Sequence, residues 1–502
     1  MSNLQLLLQG FSVALSVQNL GAAAFGALLG LIVGAMPGIG SLAGVALLLP
    51  LTYKFNPTTA IIMLGALYYS NMFGGAFSAI LINIPGDGPA VMTTLDGFPM
   101  AQKGRPGQAL FTSNVSSFIG GLIGMIIVTF TGPTLARLGL NFGPIEMAAL
   151  LLVAMTSIGW LLGDNPLKGI ISTALGILIA CIGMDAVTGT PRYYFGNIYL
   201  MGGIPFVPMV IGIVGFSRVI GLMSDRKSAP PITDRLHYRD CMLTRHDFKR
   251  LLLPAIRSGF LGTFVGILPG AGATTGAFMG YAVQKRFKSE EPLGTGAIEG
   301  IAACESANNA AAAGAFAPLL ALGIPGSGTG AVLLGGLMMW GLNPGPMLFT
   351  THPDFTWGLI ASLFLANIIT LAIAFIIIPI LVQILTVPIG LMIPVIATIC
   401  VVGSYSTTNS MYGVLIMFIA GLLGHVMNKL KYPTAPLVLA IVLSKIFEVN
   451  LRRSFLISGG SPFIFFQKPI SCVLMIIFFI FTLVPVYKAI KRRMSCKKGE
   501  NV

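Results

Sequence analysis

The sequence predicts an all-α polytopic membrane protein of two inverted repeats, each pairing a re-entrant hairpin with a broken transmembrane helix. The arrangement amounts to about 11 crossings plus two hairpins. Three observations predict it. Charged residues make up only 9% of the 502-residue chain and apolar residues 55%, whereas soluble domains carry about 25% charge. Apolar runs of roughly 20 residues, enough to span a bilayer, recur from Gly21 to Tyr487. A pattern rich in Gly and Pro occurs twice, with its two elements in the same order. The 62 Gly and 31 Pro lie inside apolar runs, where membrane helices tolerate them because neighbouring helices re-satisfy the freed backbone groups.

The apolar segments fall at 21–53, 58–84, 108–133, 145–163, 166–184, 203–223, 254–284, 297–324, 356–384, 388–404, 410–427, 433–448 and 469–487. They divide the chain into a first repeat half (1–223), a basic cytoplasmic loop (224–257), a second half (258–487) and a basic cytoplasmic tail (488–502). The net charge of +14 does not indicate nucleic acid, because the cations cluster in short stretches between apolar segments. Cys181, Cys241, Cys304, Cys400, Cys472 and Cys496 are scattered without a CxxC pair or a nearby His. Free thiols are expected, not a disulfide framework or a zinc site. The first Lys or Arg is Lys54, so the amino terminus is not read as a signal peptide and is expected on the periplasmic side.

The repeat is the most informative feature. LIVGAMPGIGSLAGVALLLPLTYKF from Leu31 aligns with TFVGILPGAGATTGAFMGYAVQKRF from Thr263, and INIPGDG (Ile82–Gly88) aligns with LGIPGSG (Leu322–Gly328). In the second half the hairpin is flanked by Arg250 and Arg257 before and by Lys285, Arg286 and Lys288 after, and the broken helix exits at the uncharged-or-acidic stretch 343–354. In the first half the hairpin has only Lys54, and the broken helix exits at Lys103 and Arg105. Cations collect on the cytoplasmic side, so the two halves read as opposite in orientation.

Non-helical backbone at membrane depth is costly unless it is buried in protein or lines a cavity. Four such breaks in two pairs therefore point to a site. Pro interrupts the helix, Gly lets backbone approach a ligand, and the half-helix that follows offers free N–H groups to a carboxylate. The expected substrate-binding residues are Gly38, Gly40 and Ser41, then Asn83, Pro85, Gly86 and Asp87, then Gly270, Gly272, Thr274 and Thr275, and finally Pro325, Gly326, Ser327 and Thr329. Helix C-terminal carbonyls at the same breaks suit Na+ as a coupling ion. Gly26, Gly30, Gly34 and Gly38, and Gly262, Gly266 and Gly270, recur at four-residue spacing and read as stripes for close helix packing.

Three acidic positions need separate readings. Asp87 would repel a carboxylate unless neutralised; binding a cation, taking a proton and facing solvent all remain open. Glu299 reads as solvated at a helix end. Glu305, deeper and followed by Asn308 and Asn309, is either a coupling-ion or pathway group or a buried hydrogen-bond hub. Asp96 reads as a loop contact with Lys103–Arg105, and the four His residues take no role.

The stretches GLIVGAMPGIG, NIPGDGPAVMTTLDGFPMAQKGRPGQAL, GILPGAGATTGAFMGYAVQKRF and GAIEGIAACESANNAAAAGAFAPLLALGIPGSGTGAVLLGGLMMWGLNPGPMLF resemble the large membrane subunit of the tripartite tricarboxylate transporter family. The resemblance runs the whole length. It implies a bacterial inner-membrane secondary carrier for citrate-like or related organic anions, driven by Na+ or protons, with no organic cofactor. It also implies two partners, a small membrane subunit and a periplasmic solute-binding protein. The family has Pro where Cys304 stands, and the Asp87 position varies within its motif. Alternating access is expected, with the hairpins and broken helices moving past the remaining helices. A channel and an anion exchanger are the rivals; a membrane enzyme would need a clustered nucleophile and base, which the sequence does not offer.

Overall fold

The computed structural model describes residues 2–36, 39–162, 166–185, 187–224, 241–378 and 389–499. Gly38, residues 225–240 of the basic loop and the last three residues of the tail lie outside them. The described chain is helical almost throughout, and eight of its helices are long and apolar enough to cross a membrane. It forms two compact units, Met1–Gly139 with Val207–His425 and Leu140–Phe206 with Val426–Val502.

The first unit begins with α1 (Asn3–Ala14) and α2 (Val17–Ala35), then α3 (Gly40–Leu48), α4 (Pro57–Ile82), α5 (Thr94–Gln102) and α6 (Pro106–Gly139). The sequence reading started the first apolar run at Gly21 and missed α1. That helix is set by a capping box, with Ser2 Oγ accepting from Gln5 N at 3.3 Å and Gln5 Oε1 accepting from Ser2 N at 2.9 Å. At the centre is α4, buried from Thr59 to Ile80. Asn56 Oδ1 caps it by accepting from Thr59 N at 2.8 Å, Pro57 opens its first turn, and Asn83 ends it in the left-handed conformation.

Within the same unit, α10 (Phe206–Val210) passes through a π-helical turn (Ile211–Phe216) into α11 (Ser217–Ser224). Next come α12 (Arg245–Ile267), α13 (Gly272–Gln284), α14 (Ile298–Gly314), α15 (Phe316–Leu322), α16 (Gly328–Met339) and α17 (Leu348–Thr351). The run closes with α18 (Pro353–Ile376), α19 (Ile389–Thr408) and α20 (Met411–Lys429). The basic segment through Arg257, read as loop, is helical from Arg245 because Thr244 Oγ1 caps α12 by accepting from Asp247 N at 3.1 Å. Cys304 sits in the unbroken helix α14, and the backbone there is regular.

Both glycine stripes serve close packing, as their spacing predicts. A Cβ on Gly26, Gly30 or Gly34 of α2 would run into the carbonyls of Met63, Leu67 and Asn71 on α4. A Cβ on Gly262 or Gly266 of α12 would run into those of Ala307 and Ala311 on α14. One device thus seats a hairpin arm against a neighbouring helix in each half.

The second unit contains α7 (Pro144–Leu162), α8 (Pro166–Ala180), α9 (Ile198–Met201), α21 (Thr434–Ile457), α22 (Ile464–Gln467) and α23 (Pro469–Gly499). Ile145, Ala148 and Ala149 of α7 pack with Phe465 and Met475. The tail from Lys488, read as a basic extension, continues α23 to Gly499. Between α8 and α9, a two-stranded hairpin pairs Gly183 with Arg192 and Met184 with Pro191. Its turn closes on Asp185, whose Oδ1 accepts from Val187 N and Thr188 N, both at 2.8 Å. Arg192 reaches Asp185 at 3.1 Å and Glu448 on α21 at 2.7 Å, and Arg452 reaches Asp185 at 2.5 Å.

The backbone N–H groups of Thr188 and Val187, and then the Arg452 charge, hold the Asp185 carboxyl well below the usual aspartate range. A depressed folded-state pKa stabilises above the unfolded value and is lost as pH falls through the folded one. Hydrogen exchange of the Val187 and Thr188 amides should therefore stay slow from pH 7 to near the ordinary aspartate value of 3.8 and quicken only below it. In the first unit, Gly266→Leu should lower the melting temperature in detergent by an overpacking cost of about 1–3 kcal/mol. Gly221→Leu should leave it nearly unchanged, since a Cβ at Gly221 meets nothing within 4 Å.

Candidate functional site at four helix breaks

The first unit repeats its backbone as well as its letters. α4 ends at Asn83 (φ 57, ψ 25) and α15 at Gly323 (φ 69, ψ 26), both left-handed. Two residues on, Pro85 and Pro325 prevent the helix from resuming. It restarts after Asp87 (φ −141, ψ 167) in the first half and Ser327 (φ −152, ψ 168) in the second. At the hairpin tips, Gly40 (φ +66) opens α3 and Gly272 (φ +62) opens α13. Both need the left-handed region that favours glycine, and Gly270 (φ +79) shares it.

These four breaks meet. Ser41 Oγ, at the start of α3, lies 2.9 Å from Thr329 Oγ1, at the start of α16, in a buried contact across the two halves. Tyr68 OH on α4 reaches Ser327 Oγ at 3.5 Å. A Cβ on Gly88 would stand 2.9 Å from Thr274 Oγ1, and one on Gly272 would stand 3.3 Å from the Gly326 carbonyl and 3.5 Å from Ser327 Cβ. An open cavity of ≈ 270 Å³ is lined by Ile39, Gly40, Pro85, Gly86, Asp87, Gly88 and Val91.

Asp87 is half-buried and paired. Its Oδ2 accepts from Ser41 N and Asn71 Nδ2, each at 3.0 Å, and its Oδ1 accepts from Gly88 N at 2.7 Å. Of the other expected residues, Asn83 is exposed and terminates α4, Thr275 is half-buried, and Pro325 is buried beneath Gly330. Tyr68 and Asn71 escaped the sequence reading. The available signal was a polar pair, with Gly75 and Ser78, on one face of an apolar helix ahead of the first IPG break.

Glu305 lies at depth on α14, 1% exposed. Its carboxylate accepts from the Thr93 hydroxyl and from Ser117 Oγ at 3.1 Å. Ser113 and Asn308 stand beside it. On the same two helices, α6 and α14, Ser113 Oγ, Ser116 Oγ, Asn308 Oδ1, Asn309 Oδ1 and both polar atoms of the Asn114 amide are buried without a hydrogen bond of good geometry. Six buried polar atoms without a partner on two packed helices are unusual, because each costs roughly 1–3 kcal/mol. Among the described residues no three His, Cys, Asp or Glu side chains gather as metal ligands. Hydroxyl, amide and carboxylate oxygens are what a hard monovalent cation takes.

Two acidic residues depart from the sequence reading. Glu299 is not solvated: it is buried and takes Arg250 of α12 in a two-pronged pair at 2.9 and 3.0 Å. Asp96 is 0% exposed and does not meet Lys103 or Arg105. Its Oδ1 accepts from Gly294 N, Gly296 N and Ala297 N at 2.8–2.9 Å, and its Oδ2 from Tyr281 OH at 2.8 Å. Arg105 instead faces Asp247 and Glu291, each at 3.5 Å. Asp96 thereby fixes the turn that leads from the second hairpin into α14.

The model of the tripartite tricarboxylate transporter TctA family matches residues 20–439, which contain all four breaks and Glu305. The chain belongs to that family. As a TctA-family chain with many apolar helices, it is a multi-pass membrane protein and the membrane component of a transporter of this class. It is similar to an uncharacterized 52.8 kDa protein in the TAR-I ttuC' 3' region of Agrobacterium vitis, 37% identical over 475 residues, 94% of each chain. It also resembles an uncharacterized protein in the TAR-II ttuC' 3' region of the same organism, 38% identical over 215 residues, 43% of this chain and 89% of that one. No solved structure matches the chain.

Asp96→Asn replaces a buried four-bond acceptor with a group that brings an N–H donor against existing donors. Thermal unfolding should show a loss of about 2 kcal/mol or more. Amides Gly294–Ala297 should exchange faster while those of α4 do not.

Proposed function

We propose that this chain is the substrate-translocating subunit of a gradient-driven carrier for citrate-like tricarboxylates or related organic anions in a bacterial inner membrane. One observation carries the reading: two hairpin tips and two helix breaks, drawn from both repeats, converge on a single place in one compact unit. Each break exposes backbone that a membrane protein keeps only where it is buried or lines a cavity. The helix starts at Gly272 and Gly328 bring N–H groups to the junction, and Ser41, Thr274, Ser327 and Thr329 add hydroxyls. Together they hold the anion.

The matching dihedral angles of the two halves support the repeat, and the distribution of Lys and Arg supports its inversion. On that basis the amino terminus is periplasmic and the carboxyl terminus cytoplasmic. The coupling ion, Na+ or a proton, acts at Glu305 together with Asn308 and Asn309, a buried carboxylate followed on the same helix by two amide oxygens without a partner. Alternating access follows if the unit that holds all four breaks moves while the other, which holds none, stays fixed. Family membership supports two partners, a small membrane subunit and a periplasmic solute-binding protein that delivers the anion.

The test is uptake by proteoliposomes holding the chain and its small subunit, with the binding protein outside. Labelled citrate should accumulate and saturate only under an inward Na+ or proton gradient. Equilibration without a gradient would overturn the carrier. Glu305→Gln should cut gradient-driven accumulation at least tenfold while leaving anion binding, measured by calorimetry, within about threefold; each tenfold corresponds to about 1.4 kcal/mol of coupling. Undiminished accumulation would remove Glu305 from the coupling path.

A further inference from the structure

The two halves present nearly the same backbone to the junction but differ at one decisive side chain. Asp87 stands in the first half where Ser327 stands in the second. Asp87 is half-buried and lines the open cavity of ≈ 270 Å³. A carboxylate offers roughly four acceptor positions. Three are filled by Ser41 N, Asn71 Nδ2 and Gly88 N, so one remains on Oδ1, beside the cavity.

The same geometry has a second consequence. The N–H groups of Ser41 and Gly88, which would otherwise receive a substrate carboxylate in this half, are already occupied by a carboxylate of the protein. A second anion placed against Asp87 would meet a like charge and no free donor from those two groups. In the second half no protein carboxylate stands at the matching position: Ser327 Oγ is neutral and accepts from Gly330 N at 3.1 Å. Asp87 at the start of α3 therefore models how a substrate carboxylate sits at the start of α13, near Thr274.

We infer that Asp87 is the specificity-determining residue of this site, and that the preferred substrate is a carboxylate that also carries a hydroxyl or ammonium donor held against Asp87 Oδ1. The inference rests on the substrate site proposed above. It excludes anions that present only carboxylates to both halves. A site built to hydrogen-bond a donor discriminates strongly against the analogue that lacks it, because its own polar group is left unpaired.

The experiment uses the same proteoliposomes and pairs of anions that differ in one donor: citrate with tricarballylate and malate with succinate for the hydroxyl, aspartate with succinate for the ammonium. In the unaltered protein, the donor-bearing member of at least one pair should compete for uptake at least tenfold better, and the pair that discriminates names the donor. In Asp87→Ser, which copies the second half, and in Asp87→Asn, which keeps the side chain's size, that ratio should fall to within about threefold. Equal competition within every pair in the unaltered protein, or an unchanged ratio in both variants, overturns the inference while leaving the carrier intact. So does a monodisperse variant that loses both members of each pair equally. If the unaltered protein takes up none of these anions, the carrier reading fails first and the inference falls with it.

Discussion

At membrane depth no water is available to an unpaired backbone N–H or C=O, so a chain that breaks its helices must re-pair those groups internally. Here the demand is met locally and then across the fold. Ile84 N reaches back to Ser78 O and Ile324 N to Pro318 O, while Gly86 N takes Gly75 O on the same helix from which it has just emerged. The tips close with Ile39 N on Met36 O and Ala271 N on Leu268 O. What remains is offered to side chains: Ser41 N and Gly88 N go to Asp87, and Gly330 N to Ser327. The site consists of the groups that helix geometry cannot satisfy by itself.

That arrangement holds only if the helices around the breaks approach closely, which the glycine stripes permit. With α2 seated on α4 and α12 on α14 at carbonyl contact, the hairpin arms have little room to adjust, and the tips are placed by packing instead of by flexible loops. The outer ends are pinned by charge. Arg250 joins α12 to Glu299 at the start of α14 and Asp96 gathers three backbone N–H groups of the preceding turn. A buried ion pair adds little net stability against an apolar replacement, but removing one partner strands the other. Such pairs therefore fix register more than they add stability.

Backbone was more legible in the sequence than side-chain pairing. PGxG and IPGxG could be read because Pro and Gly act on their own φ and ψ, and the four-residue glycine spacing could be read because a helix imposes it. The partners of Asp96 could not, since Gly294, Gly296 and Ala297 lie about 200 residues away, and nothing in the local pattern announces them. Glu299 was taken for a solvated residue for the same reason: its cation lies 49 positions earlier, on another helix. The partners of Asp87 are not legible either, because one is Asn71, inside an apolar helix, and another is a hairpin tip 46 residues before it. Local rules predict where a chain must break. They do not say which side chain will fill the break.

The repeat boundary and the packing boundary also divide the chain differently. The sequence pattern puts the boundary between halves near residue 224, yet each compact unit takes residues from both sides of that point: 1–139 with 207–425, and 140–206 with 426–502. Two halves that each folded alone could not bring Ser41 to Thr329 or Gly88 to Thr274; exchange between halves is what creates the junction. The matching breaks supply the shape twice, and they differ in the side chains they carry. With Ser at both, the junction would present two equivalent neutral ends suited to a symmetrical anion. With Asp at one, it has a donor-rich end and an acceptor end, and on the proposed reading these would give a bound substrate a single orientation. Asp87 and Ser327 are therefore the pair at which matching backbone carries unlike side chains, the asymmetry on which the proposed selection of a substrate turns.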